Sequence, residues 1–147
     1  MYKRQTWTLT IPAILAEGIS DVIATVTDAA DNTTVDMTAG ELLIDITPPV
    51  IPVVVSQITN NTTPVISGTA TVAAGESLSV TVGGITYTEV DGNLIINNGD
   101  DTWDLSIPVV LAEANYEVTA SVTDAAGNVS TDISNLCLLY TSPSPRD

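Results

Sequence analysis

The sequence predicts an all-β protein made of tandem antiparallel sandwiches, one partial and one nearly complete. Three observations carry that reading. Apolar and polar residues alternate with a period of two rather than 3.6, as where Tyr116, Val118, Ala120 and Val122 interleave with Glu117, Thr119, Ser121 and Thr123. Turn-forming clusters break up these runs, and no segment holds a helical period. The stretch TWTLTIPAILAEGISDVIATVTDAADNTT at 6–34 aligns without a gap on TWDLSIPVVLAEANYEVTASVTDAAGNVS at 102–130, with 16 of 29 pairs identical. Chance does not give that, so the chain is built from a repeat.

The offset is 96 throughout, from 6 to 102. It divides the chain into the last third of a first repeat (6–46), a linker (47–49) and a second repeat (50–136) that lacks the end of its last strand. In the junction IDITPPV, Pro48 and Pro49 stiffen the backbone and remove ladder donors. The complete copy then has about seven strands, roughly at 52–58, 64–72, 77–82, 85–90, 102–107, 115–123 and from 129 onward, with a short extra strand near 93–96.

The clearest of these strands alternate along their length. Leu78, Val80 and Val82 interleave with Ser77, Ser79 and Thr81, and Gly83-Gly84 forms a two-residue hairpin turn into Ile85. Trp103, Leu105 and Ile107 form the next inward row, and Tyr116 opens the row after it. Each run has one buried and one wet face, as antiparallel sheets show. Seven short strands bearing a Trp in under 100 residues point to an immunoglobulin-like sandwich. The Trp falls on the fifth strand and no Cys pair exists, so an antibody-type domain is excluded.

The segments NTTPVISGTATVAAGESLSVTVGG, DTWDLSIP and YEVTASVTDAAGN, with the linker IDITPP, resemble the bacterial Ig-like repeats of large secreted and surface adhesins, the biofilm-associated and RTX-type proteins. The likeness covers essentially all of 6–136. It implies tandem sandwiches outside the cell, stiffened by Ca²⁺ between or at the ends of domains.

The two ends read differently. All three basic residues, Lys3, Arg4 and Arg146, lie there. MYKRQ can be encoded by GTG TAT AAG AGA CAG. Its reverse complement contains TGT CTC TTA TAC AC, which encodes Cys137 to Thr141. Segments 1–5 and 137–147 therefore resemble translated read-through of a sequencing adaptor and are set aside from the fold. What remains keeps every carboxylate except that of Asp147, with no Lys, Arg, His or Cys. On this reading the chain is an internal piece of something longer.

A net charge of −15 with so few cations excludes a phosphate-binding stripe, so nucleic acid is not an expected partner. No apolar run is long enough to span a bilayer. Without His, Lys or a native Cys, the chain lacks the triad, Schiff-base and oxyanion chemistry of most enzymes. Paired carboxylates could cleave a glycoside in principle, but Asp100 and Asp101 fall in a turn and Asp104 on an outward strand face. No catalytic residue is expected.

Like charges repel, so the compact state needs salt or a divalent cation to offset them. Ca²⁺ takes carboxylate, Asn and carbonyl oxygens, whereas the absence of soft ligands disfavours zinc, copper and iron–sulfur sites. In an up-and-down sandwich of seven strands, the loops after strands two, four and six share the entry end, so Asp124 and Asn128 of the TDAAGN turn lie near the entry of the second repeat, beside linker Asp45. Glu76, Asp100 and Asp101 open on that same end, and Glu17 with Asp21 follows the Trp strand of the first copy. The expected junction site has Asp45 and Asp124 as core ligands, with Asn128 and Glu17 as further candidates. Asp28 and Asn32 are the equivalent pair in the first copy. The competing reading is that Asp in such a turn caps its own backbone, with Gly127 supplying positive φ. DGNLIINNGDD lacks the ligand spacing and closing Glu of an EF-hand and reads as a solvated hairpin.

Trp7 and Trp103 begin matching inward W-x-L-x-I rows, so both are expected in cores rather than as sugar-stacking platforms. The functional expectation is an extender that holds a distal adhesive domain away from the cell, with neighbouring repeats as partners and any host or biofilm ligand met elsewhere. Two alternatives are a ligand-binding module for glycan or protein and an accessory domain of a large secreted enzyme.

Overall fold

The computed structural model describes residues 6–140, with side chains through 132. It divides into two units, Met1–Ile46 and Thr47–Asp147. The first holds β1 (Gly18–Ser20), β2 (Thr25–Thr27), β3 (Thr33–Val35) and β4 (Leu42–Ile44), paired antiparallel as β1–β4 and β2–β3.

The second unit holds β5 (Val53–Val54), β6 (Gln57–Thr59), β7 (Val65–Thr69), β8 (Ser77–Val82), β9 (Ile85–Thr88), β10 (Leu94–Asn97), β11 (Thr102–Ser106), β12 (Asn115–Thr123) and β13 (Val129–Tyr140). One sheet runs β10-β11-β7-β5 and the other β6-β13-β12-β8-β9. Neighbours are mostly non-consecutive, so the expected up-and-down arrangement gives way to the crossed strand order of an immunoglobulin-type sandwich. The helix-free reading holds apart from one 3-10 turn at Glu89–Asp91, which ends β9 sooner than the alternation predicts.

The first expected strand is split. Val53 and Val54 pair with β7, then the chain crosses to the other sheet, where Gln57–Thr59 runs parallel to β13. Pro52, which lacks an N–H, precedes this split. At the β8–β9 hairpin, Gly83 and Gly84 both take positive φ, 58° and 83°, as a type I′ turn requires.

The inward rows meet in one core. Ile66, Leu78, Val80, Leu94, Trp103, Leu105, Val118, Ala120 and Val122 are all buried, with the Trp103 side chain fully enclosed. Gly68 lies directly against it, opposite Trp103 on β11 and Val54 on β5. Tyr116, near the start of β12, donates its hydroxyl to the Ala112 carbonyl at 3.1 Å. That link is the tyrosine corner of immunoglobulin sandwiches, with Val118 two residues on where an antibody domain has Cys.

The two units repeat each other in register. Thr25↔Val35, Val26↔Thr34 and Thr27↔Thr33 become Ser121↔Thr131, Val122↔Ser130 and Thr123↔Val129, each shifted by 96. Ile19↔Leu43 and Ser20↔Leu42 likewise become Asn115↔Leu139 and Tyr116↔Leu138. Residues 138–140, in the tail set aside above, thus occupy the strand positions that Leu42, Leu43 and Ile44 hold in the first unit. The buried Trp103, Leu105, Ile107, Val118, Ala120 and Val122 each have an identical residue 96 earlier: Trp7, Leu9, Ile11, Val22, Ala24 and Val26.

The expectation of a buried Trp7 fails. It is 67% exposed, against 0% for Trp103, and Leu9 and Val26 are exposed with it. The described strands of the first unit form two-stranded pairs with no opposing sheet to cover that row.

Candidate functional site

The loop between β12 and β13 is built around one carboxylate. Asp124 Oδ1 accepts from Ala126 N at 2.8 Å and Asn128 N at 2.9 Å, while Oδ2 accepts from the Asn128 side-chain amide at 2.8 Å. Backbone bonds from Asp124 N to the Asn128 carbonyl (3.1 Å) and from Gly127 N to the Asp124 carbonyl (3.3 Å) close the turn. Gly127 takes φ 91°, the conformation an L side chain resists.

The first unit has the same turn. Asp28 Oδ1 accepts from Ala30 N (2.8 Å) and Asn32 N (2.9 Å), and Oδ2 from Asn32 Nδ2 (2.9 Å). Asp31 stands where Gly127 stands and takes φ 65°. In both copies the Asn amide foremost holds the Asp carboxyl below its ordinary pKa, with the backbone N–H groups adding to it and partial desolvation opposing.

This arrangement decides what the pair can do. Asn128 meets Asp124 with its N–H end, so the two satisfy one another instead of aiming two oxygens at one point. Both carboxylate oxygens of Asp124 are thus engaged within the turn. Among the described residues, no group of three or more His, Cys, Asp or Glu side chains gathers as a metal site.

The other carboxylates are distributed in the same manner. Glu76 Oε2 accepts from Ala73 N at 2.8 Å and Asp91 Oδ2 from Thr88 N at 2.8 Å. Asp100 Oδ1 accepts from the Thr102 hydroxyl at 2.7 Å, and Asp101 sits at φ 54° with its carbonyl taking Ala70 N. In the first unit Asp21 caps Gly40 N, Glu41 caps Val22 N and Asp36 caps Thr38 N. Glu17 is exposed just before β1, and Asp45 is half-buried just after β4. No Lys or Arg lies among residues 6–140, and Asp21, Asp36, Glu41, Glu76 and Asp91 each accept from a backbone N–H at a turn or strand end.

Within the second unit, the loops after β7, β10 and β12 share one end. Ala70 N reaches the Asp101 carbonyl at 2.8 Å, and Gly75 lies beside Ala125. The entry of the chain is there too, since Ser130 Oγ donates to the Pro49 carbonyl at 2.6 Å. Glu76, Asp100, Asp101 and Asp124 are therefore on the entry end.

Sequence reasoning missed two polar residues that matter here. Ser130 and Asp132 lie opposite buried Val122 and Ala120, on the inward row of β13. Asp132 Oδ2 accepts from Val54 N at 2.6 Å. The alternation of β13 gave no signal for them, because their row also carries Ser134, and only pairing with β12 shows that it faces inward.

Strand order, tyrosine corner and enclosed Trp define the second unit as an immunoglobulin-like module. Residues 54–137, more than half of the chain, match the family model of the bacterial Ig-like domain, and the chain belongs to that family. No curated protein matches it.

Proposed function

We propose that the chain is an extender repeat of a bacterial surface or secreted adhesin, projecting a distal adhesive domain and lacking catalytic activity of its own. The observation that supports this most is the shared register of the two copies at the 96-residue offset. A unit that repeats residue for residue adds length with each copy, as linear arrays do. Bacterial Ig-like domains are commonly extracellular, and no helix among the described residues is long and apolar enough to cross a membrane. Its partners on this reading are neighbouring repeats, and contact with a host or biofilm ligand belongs to other domains.

The reading includes Ca²⁺ at the domain junction, with Asp45 and Asp124 as core ligands, Asn128 and Glu17 as further ones, and Asp28 with Asn32 serving the preceding junction. The uncompensated charge of −15 supports it. The self-satisfied Asp124–Asn128 turn is what the ion must compete with. Thermal unfolding of the chain in Ca²⁺, in EDTA and in Mg²⁺ tests this. Saturation at about 100 times Kd adds about 2.7 kcal/mol per site, or roughly 10 °C or more for a domain of this size. No Ca²⁺-specific shift removes the cation from the proposal. A glycan or protein that binds the isolated chain replaces the extender reading with a ligand-binding one.

A further inference from the structure

We propose that Ser130 and Asp132 form a mechanical latch, locking the entry segment of the second unit to its last strand when the chain is pulled by its ends. This deepens the extender reading and rests on it for its biological use.

The geometry starts from two inward positions on β13 that carry polar side chains. Ser130, 8% exposed, faces the core opposite Val122, and Asp132 does so opposite Ala120. A polar group in that position is destabilising unless it is bonded. Both are bonded, and to the same segment: Ser130 Oγ donates to the Pro49 carbonyl and Val54 N donates to Asp132 Oδ2, each at 2.6 Å. These are short contacts, and the second is charge-assisted. They tie the segment to β13 ahead of the β6 ladder, where Pro49 and Pro52 have no N–H to donate. Farther along, the ladder takes over through Leu138↔Gln57, Leu139↔Ile58 and Tyr140↔Thr59, where tail residues stand at the positions that Leu42, Leu43 and Ile44 hold in the first copy.

Direction makes this a latch. Pro49 pairs before Val54 as Ser130 comes before Asp132, and the β6–β13 ladder is parallel. The entry segment and β13 therefore run the same way. Tension on the two chain ends draws the entry segment backward and β13 forward. The side-chain bonds and the ladder then load together along the strand axis, in shear. A hairpin pulled apart at its open end would instead lose its bonds one by one. The first unit carries Thr34 and Asp36 at the equivalent positions, hydroxyl and carboxylate again.

Single-molecule force spectroscopy on the whole chain tests the latch. The wild type, Ser130→Ala and Asp132→Asn are pulled through their termini. The same proteins carrying Cys137→Ser and Gly84→Cys are then pulled from the β8–β9 hairpin and the C-terminus, which bypasses the entry segment. Urea midpoints of all variants are measured alongside. In the end-to-end pull, both substitutions should lower the rupture force and speed unfolding several-fold at fixed load. In the hairpin pull, the rupture force should stay near that of the unsubstituted protein. The proposal is overturned if the variants rupture at the wild-type force end to end. It is also overturned if they weaken equally in both geometries, since that would be general destabilisation. A mechanically weak but ligand-free repeat would end the latch and leave the extender standing.

Discussion

Gly68→Ala should be among the most damaging single-methyl additions in the second unit. A Cβ at this position would run into the Val53 carbonyl oxygen and the Cζ2 and Cε2 atoms of Trp103, well inside contact distance. Neither obstacle can rotate away: one is backbone of β5, and the other belongs to an indole with no exposed surface. Overpacking a well-filled core costs about 1–3 kcal/mol, and two rigid obstacles place this case at the upper end. Pushing β5 away also strains the Val53↔Thr69 and Val54↔Gly68 pairing. At about 3 kcal/mol, with about 4–8 °C lost per kcal/mol, the melting temperature of the second unit should fall by roughly 12–24 °C. Far-UV circular dichroism through heat and urea unfolding reads this, with Gly99→Ala as control, because a Cβ there meets open space. Trp103→Leu combined with Gly68→Ala should cost less than the sum of the two alone, since one clash is then gone. If Gly68→Ala unfolds with Gly99→Ala, the close approach of β5, β7 and Trp103 is wrong.

Further outcomes follow from the turns and the core. Asp124 and Asp28 have folded-state pKa values below the ordinary carboxylate value of about 3.9. Their stabilisation is therefore fully present above that value and is lost as pH falls through the lower, folded one. NMR titration of the carboxyl carbons should show both depressions, and Asn128→Ala should move Asp124 back toward normal. Gly127→Asp should destabilise the second unit by about 1 kcal/mol, because an L side chain must then hold φ near 91°. Asp31→Gly should leave the first unit unchanged or slightly firmer, and denaturant midpoints measure both. Leu105→Ala empties a fully buried position and should cost about 2–5 kcal/mol by the same assay.

Alternation made the strands legible wherever one face is buried and the other wet, as in β8, β11 and β12. It was less informative at the entry segment, where Val53, Val54 and Val55 read as one strand and the chain divides itself between two sheets. That division depends on which neighbours offer free ladder positions, which local sequence does not encode. Repeat alignment gave the 96-residue offset, and the structure shows the β2–β3 and β12–β13 registers following it. The same alignment misled at Trp7, whose burial requires an opposing sheet that the described residues of the first unit do not supply. The TDAAGN motif was visible at once, but sequence could not tell whether the Asp and Asn would point at an ion or at each other. That choice turns on which end of the Asn amide faces the carboxylate, and here it is the N–H end. Ser130 and Asp132 were hidden because β13 is polar in both phases, so no period singled out its inward face.

The identity of the six core residues between the copies also bears on how such an array folds. During synthesis or refolding, the segment around Trp7, Leu9 and Ile11 and the one around Trp103, Leu105 and Ile107 offer the same knobs to the same holes. A strand from the wrong copy therefore meets no mismatched side chain to reject it, and misassembly between like neighbours is a common failure of repeat proteins. Discrimination falls to the positions that differ, among them Ser20 against Tyr116 and Asp31 against Gly127. Divergence at the loops and strand ends is then what distinguishes one copy from the other while the like strands pair.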